Sequence, residues 1–239
     1  AWSTLARFGS AAEKLMRDCE ELPTARKMDK LVELVRQFGD RMIVFTQFQG
    51  THQEILRVLQ KAGVATTALH GGMRYREKQE TLERFRTSAQ VLVSTDVGSE
   101  GRNLQFCNAV VNFDLPWNPM RIEQRIGRIS RVGQEREVYV FNLVSAGTLE
   151  DHLLHLLHAK INMFELVIGE IDAILGQLEE ERSFEEVIMD LWCSEEKDFA
   201  QSMEELSQSL IEARQRYFQV REVEDRIFSN ELSTAEAHV

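Results

Sequence analysis

The sequence predicts an α/β protein, a parallel sheet covered by helices on both faces and followed by a mostly helical C-terminal extension. Three observations predict it. Short, continuous apolar runs alternate four times over with amphipathic segments of helical period between residues 24 and 150. A strand that is apolar on both of its faces must be buried on both, which is the situation of a parallel strand between two helix layers. From about residue 148 the strand signals stop, and apolar positions recur only at helical spacing.

The elements follow in order. Residues 24–38 place Leu31, Leu34, Val35 and Phe38 at helical spacing, and Gly39 stops the helix. Arg41–Thr46 (RMIVFT) is a short apolar run and reads as a buried strand. Residues 50–62 return to helical period through Ile55, Leu56 and Leu59, and Gly63 closes them. Val64–Leu69 is the second strand, and residues 74–86 form a charged helix with Leu82 and Phe85 inward. Val91–Ser94, Ala109–Phe113 and Glu137–Val144 supply three more strands. The stretch 149–178 reads as one long helix with Gly169 as its weak point, and further helices are expected around 183–193 and 196–225. The expected division is therefore a connector over 1–23, the sheet-bearing lobe over 24–150 and an acidic helical extension over 151–239.

Charge is divided unevenly along this plan. The 239 residues carry a net charge of −11, yet residues 1–150 hold 21 Lys+Arg against 18 Asp+Glu, whereas residues 151–239 hold 7 against 21. The lobe can carry an anion-binding surface, and the extension cannot wrap nucleic acid by itself. No apolar run approaches the roughly 20 residues of a membrane span, so no membrane partner is expected. Cys19, Cys107 and Cys193 have no metal-ligand spacing and suit a reducing compartment. His152, His155 and His158 step every third residue and drift around their helix, so they are expected at the surface, and no metal site is expected. The apolar stripe from Leu149 to Leu175 reads as a packing seam. The chain does not begin with Met and is expected to be part of a longer polypeptide.

Ligands of parallel sheets sit at the C-terminal ends of the strands. The residues there are Thr46-Gln47-Phe48, His70-Gly71-Gly72, Thr95-Asp96-Val97-Gly98 and Asp114-Leu115-Pro116-Trp117. Beyond them lies QRIGRISRVGQ, residues 124–134, with three arginines and no carboxylate. Like charges at helical spacing repel. The cluster is either a solvated basic face or a place for an anion. Pro119 suits the first position of a helix, and continuing that helix puts Gln124, Arg128 and Arg131 on one face. Guanidinium groups bind phosphoryl oxygens bidentately and remain charged, so two on one face can neutralise a phosphoryl transition state. The run STDVGSEGRNLQF, residues 94–106, leaves a strand through a loop with two glycines, compatible with a phosphate or with a tight connection.

Taken in order, MIVFTQF, LHGGM, VLVSTDVGSEGRNLQ and DLPWNP-x-x-x-EQRIGRISRVGQ resemble the C-terminal RecA-like lobe of superfamily-two helicases over roughly residues 25–150. The WNP turn and the Gly133-Gln134 ending narrow the resemblance to Swi/Snf-type DNA translocases. The GSEGRN-x-QF run is similar in particular to the bacterial RNA-polymerase-associated branch. The resemblance implies a two-lobed motor that hydrolyses ATP with Mg2+ and moves on double-stranded DNA to remodel or displace protein–nucleic acid complexes. It makes Arg128 and Arg131 catalytic, with Gln124 a sensor, and sets Gly101 and Asn103 against the nucleotide. It sets Thr46, Gln47, Gly71, Gly72, Ser94 and Thr95 toward the nucleic-acid backbone. Trp117 matches an aromatic beside the track, and a core role for it stands equally open. Glu100 stands where RNA-helicase relatives carry arginine, so their nucleotide contact is not carried over.

The departure from the family pattern is that no G-x-x-x-x-G-K-[ST] and no Asp-Glu-x-His strand end occurs in the 239 residues. The first lobe, with its nucleotide cradle and most of the Mg2+ ligands, is expected elsewhere in the same polypeptide. This chain alone is expected to be inactive. The implied partners are duplex DNA, that first lobe, and a protein such as RNA polymerase at the helical extension. The implied location is the cytoplasm, at the nucleoid. The competing reading is a non-catalytic scaffold on a helicase-like lobe, or a lobe of an RNA helicase.

Overall fold

The computed structural model describes residues 26–99, 104–130, 136–161, 170–176, 184–193 and 196–236. Five strands form one parallel sheet in the order β2-β3-β1-β4-β5: β1 (Met42–Phe45), β2 (Thr66–Leu69), β3 (Val91–Ser94), β4 (Ala109–Asn112) and β5 (Tyr139–Asn142). The helices between them are α1 (Arg26–Phe38), α2 (Gln49–Lys61), α3 (Tyr75–Thr87), the single turn α4 (Asp96–Ser99) and α5 (Pro119–Ile126). The extension is α6 (Leu149–Ile161), α7 (Glu170–Leu175), α8 (Phe184–Cys193) and α9 (Glu196–Glu236).

The pleat of β1 divides the core. Met42 and Val44 point to one face, where Met28, Leu31 and Val35 of α1 and Ile55 and Leu59 of α2 cover them. Ile43 and Phe45 point to the other, against Phe85 of α3, Leu104, Cys107 and Ile129. Each such side chain, fully removed from water, contributes roughly 1.5–3 kcal/mol. The three central strands β3, β1 and β4 are buried at every position, as their apolar runs require; β3 and β4 end in the buried polar Ser94 and Asn112. The edges differ. β2 alternates between half-buried and buried, and β5 is half-exposed, because each has a neighbour on one side only. On α3 the inward pair is Thr81 and Phe85, with Leu82 only half-buried, a rotation of one residue from the expected face.

Helix ends follow local chemistry. Gly39 and Gly63 end α1 and α2 with φ of 69° and 77°, a region that residues with a Cβ avoid. Asn118 caps α5, its side-chain oxygen accepting from the Met120 amide at 2.8 Å, and Pro119 follows at the first helical position. A third apolar cluster joins the extension to the lobe: Leu115 and Ile122 pack with Leu153 and Leu157 of α6, Ile174 of α7, Ile188 of α8 and Leu210 of α9. This is the seam expected from the Leu149–Leu175 stripe. Glu150 pins the joint, accepting from Lys27 at 2.7 Å and from the Leu115 amide at 3.2 Å. The expected continuous helix over 149–178 appears as α6 and α7. Its weak point Gly169, the connector over 1–23 and the acidic Glu179–Glu181 lie outside the described residues.

Candidate nucleotide and nucleic-acid site

The order β2-β3-β1-β4-β5 puts the ends of β3, β1 and β4 side by side, with the chain leaving β1 toward β2 and leaving β4 toward β5. Such a reversal opens a crevice at the C-terminal edge of the sheet. A pocket of about 400 Å³ lies there, lined by Gln47, Phe48, Asp114, Trp117, Arg121 and Glu150, among others. A second, shallow pocket lies beside it and is lined by Asp96, Ser99, Arg121, Gln124, Arg125 and Arg128. Arg121 is common to both.

The arginines of the cluster separate into two kinds. Arg125 is 2% exposed in its side chain. Its Nε donates to Asp96 Oδ1 at 2.6 Å and its Nη2 to Asp96 Oδ2 at 3.1 Å. Its Nη1 donates to Asn112 Oδ1 at 2.9 Å and to the Asp114 carbonyl at 3.0 Å, and the guanidinium lies 5.3 Å from the centre of the Phe45 ring. A buried charge survives only when paired and hydrogen-bonded in this way. The carboxylate missing from QRIGRISRVGQ is therefore Asp96, supplied from the turn after β3. Arg121 and Arg128, by contrast, form no ion pair among the described residues and keep their charge at the shallow pocket.

The expected continuation of α5 through Arg128 is corrected by the structure. The helix ends at Ile126, with Gly127 as its C-cap. The chain then tightens: Arg128 N–H donates to Arg125 O, and Ile129 N–H to Ile126 O. Two interactions turn it off the helix axis. Ile129 is fully buried under the sheet, and the Leu104 amide donates to the Arg128 carbonyl at 3.0 Å. Gln124 and Arg128 still reach one pocket, through the turn rather than a shared helix face. Arg131, Gly101 and Asn103, as well as Glu100, lie outside the described residues.

At the end of β1, Thr46 is fully buried, its hydroxyl donating to Asp114 Oδ2, while the Gln47 amide donates to Asp114 Oδ1 at 2.9 Å. Burial is the largest influence on the Asp114 carboxyl and raises its pKa; the Thr46 and Gln47 bonds and the Arg125 charge act against it, and Glu150 adds to it. Gln47 itself is half-exposed in the crevice, and Phe48 beside it is 62% exposed. Ser94 is fully buried, its hydroxyl donating to the Thr95 carbonyl at 2.9 Å. Thr95 lies at the end of β3, and its hydroxyl accepts from the Gly98 amide at 3.3 Å. Gly71 and Gly72 are exposed in the turn after β2. Trp117 lines the crevice and packs, partly buried, on the helical cluster.

The sequence places Asp96 and Asp114 at the strand ends without a role, because each acts through partners far along the chain. Gly98 belongs to the two-glycine loop for which a phosphate or a tight connection stands open. A Cβ there would come within 2.6 Å of the Leu69 carbonyl oxygen and 2.9 Å of His70 Cα. The glycine lets the turn after β3 lie against the end of β2. Two glycines in a strand-to-turn loop was the available signal, and Gly98 serves the tight connection.

Comparison with known proteins agrees with this geometry. A family model described as helicase conserved C-terminal domain matches residues 26–133. The uncharacterized ATP-dependent helicase YqhH of Bacillus subtilis (strain 168) is 44% identical over 162 residues, covering 68% of this chain and 29% of that protein. RNA polymerase-associated protein RapA of Vibrio vulnificus (strain YJ016) is 35% identical over 138 residues, covering 56% of this chain and 14% of that protein. The chain thus spans less than a third of the length of either relative. The crystal structure of the C-terminal part of the Fun30 ATPase domain shares the fold, with a TM-score of 0.51 over 70% of this chain and 54% of that one at 23% identity.

Proposed function

Residues 26–133 of this chain belong to the helicase conserved C-terminal domain family, and from that premise we propose that the chain is the second motor lobe of a Swi/Snf-type, ATP-dependent translocase on double-stranded DNA. The full polypeptide would remodel or displace protein–nucleic acid complexes. The observation that carries this reading is the sorting of the arginines: Arg125 is neutralised inside the lobe, while the half-buried Arg128 lines a small pocket with Gln124 and Arg121. A cation with no carboxylate partner among the described residues is available to a phosphoryl group.

In this proposal Arg128 and Arg131 meet the phosphoryl group of ATP across a cleft, Gln124 senses it, and Gly101 and Asn103 line the nucleotide. The first lobe supplies the cradle and the Mg2+ ligands, since the sequence given has no G-x-x-x-x-G-K-[ST]. ATP and Mg2+ would supply the phosphoryl transfer, and this chain alone would be inactive. Gln47, Gly71, Gly72 and Trp117 are exposed or half-exposed along the strand ends and would follow the DNA backbone. Thr46, Ser94 and Thr95 would act on DNA by holding those neighbours, because their own side chains are buried. Phosphate contacts of this kind fall with salt and carry little sequence preference. The relative named RNA polymerase-associated protein supports a polymerase as partner of the helical extension, and hence a cytoplasmic, nucleoid-associated location.

The test is steady-state ATP hydrolysis by the full natural polypeptide, with and without duplex DNA, beside Arg128→Ala and Arg131→Ala. Stimulation by DNA, with a loss of about 10³-fold or more in either variant while nucleotide still binds, is the expected result for finger residues. Turnover that ignores both arginines would end this reading.

A further inference from the structure

Arg125 holds more than its own charge. From α5 it reaches the turn after β3 through Asp96, the end of β4 through Asn112 and the Asp114 carbonyl, and the end of β1 through the face of Phe45. The contacts continue on both sides. Asn112 donates to Asn142 of β5 at 2.8 Å. The Asp114 carboxylate, 3.8 Å from Arg125 Nη2, receives the Thr46 hydroxyl and the Gln47 amide. One end of this chain is therefore Gln47 and Phe48 in the crevice, and the other is the pocket of Gln124, which precedes Arg125, and Arg128, three residues after it. Every link between them is buried or half-buried, where a hydrogen bond is electrostatically stronger than in water.

We propose that Arg125 is a positioning residue that couples the two pockets, so that engagement of the β1 end by a polyanion sets the geometry of Arg128 toward nucleotide phosphate. This rests on the motor reading above and deepens it by assigning the connection between its two ligands. The physical basis is that a planar guanidinium with each of its three nitrogens hydrogen-bonded to the fold is held in one orientation. Displacing Asp114 at the β1 end must rotate the fork, shift Asp96, and move the turn that carries Arg128. Arg125 touches neither ligand in this scheme, so its effect belongs in turnover rather than in affinity.

The experiment uses the full natural polypeptide with two variants at opposite ends of the chain of contacts. Arg125→Lys keeps the charge and removes the fork. Thr46→Val keeps the volume and removes the hydroxyl that holds Asp114. For each, kcat for ATP at saturating duplex DNA is measured together with nucleotide affinity, DNA affinity and the thermal midpoint. The expected result is a fall in DNA-saturated kcat of at least about fivefold in both, the lower end of ordinary coupling between sites, with nucleotide affinity within about twofold in both and DNA affinity within about twofold in Arg125→Lys. The double variant should then cost no more than the worse single, because both break one connection. Full additivity of the two losses would overturn the proposal, as would unchanged kcat in either variant, a kcat loss matched by lost nucleotide affinity or by a collapsed thermal midpoint, or lost DNA affinity in Arg125→Lys. Arg128→Ala distinguishes the levels: if it abolishes hydrolysis while Arg125→Lys and Thr46→Val leave kcat intact, the coupling is wrong and the motor stands. If Arg128→Ala is without effect, the motor reading fails and the coupling falls with it.

Discussion

Arg125 on α5 and Asp96 at the start of α4 form a two-bond ion pair, at 2.6 and 3.1 Å, across 29 residues of sequence. The two partners are not equivalent. The arginine side chain is 2% exposed and that of the aspartate 25%. The arginine depends on the pair for its burial, whereas the aspartate can be hydrated from the pocket side.

That asymmetry gives the first prediction. Arg125→Ala leaves Asn112 and the Asp114 carbonyl without their donor inside the lobe and should cost about 3–5 kcal/mol, as breaking a buried pair does. Arg76→Ala, at an exposed pair on α3, should cost no more than about 0.5 kcal/mol. Urea denaturation of the three proteins compares them directly, and equal midpoints would show that the buried pair does not hold the strand ends together.

Gly98 provides a steric prediction. Its Cβ position meets the Leu69 backbone at 2.6 Å and 2.8 Å, and neither atom belongs to a flexible side chain. Gly98→Ala should therefore destabilise by about 1–3 kcal/mol, the usual range for overpacking. Gly50 is the control. It lies in the first turn of α2 with nothing within 4 Å of its Cβ position, so Gly50→Ala should be neutral or stabilise by up to about 1 kcal/mol. Thermal melts that rank the two the other way round would contradict the close approach of α4 to β2.

His52 makes stability depend on pH. It is buried on α2, with Nε2 3.1 Å from the Val93 carbonyl, an arrangement that calls for the proton on Nε2. Burial lowers its pKa from 6.5, the backbone bond to Val93 acts in the opposite direction, and neighbouring His70 lowers it further. The unfolded chain then takes up a proton at a higher pH than the folded one. The stability that neutral His52 contributes is complete above pH 6.5 and is lost as pH falls from there through the depressed folded-state pKa. Denaturant midpoints measured between about pH 5 and about pH 8 should fall on the acid side, and less steeply in His52→Leu. Identical pH profiles for the two would remove His52 as the cause.

The cysteines should differ in reactivity. Cys107 is fully buried, its thiol donates to the Arg41 carbonyl at 3.2 Å, and burial pushes its pKa up to about 11. Cys193 is exposed at the end of α8. Thiolate is the reactive form, so a maleimide at neutral pH should label Cys193 in the native protein and Cys107 only on unfolding. Peptide mass spectrometry reads each site separately, and rapid native labelling of Cys107 would contradict its burial.

The sheet was legible because its cause is local. MIVF is apolar throughout, and VLVS and AVVN are apolar at all but their last position; a strand of that kind is stable only between two covering layers. The edge strand β2 was less legible: TTAL is polar enough to start two residues later than its preceding apolar residue suggests, and its alternation reflects a missing neighbour. The end of α5 was misplaced because nothing in RIGRIS stops a helix outright; burial of Ile129 and the Leu104–Arg128 bond do so from outside. Gln124 and Arg128 could be read as companions from spacing alone, and the pocket brings them together by a different route.

By itself the sequence determined the alternation of strands and helices, the division between a mildly basic lobe and an acidic helical extension, and the identity of the residues at the strand ends. These depend on periodicity, composition and turn chemistry, which act over a few residues. The tertiary structure decided which arginine is buried and which is open, that Thr46 supports Asp114 from within the lobe, and that Gly98 is set by the backbone of β2. Those outcomes depend on which strand ends become neighbours in the order β2-β3-β1-β4-β5. A charge or a hydroxyl is neutralised by whatever the fold puts within about 3 Å of it, and that distance bears no relation to separation along the chain.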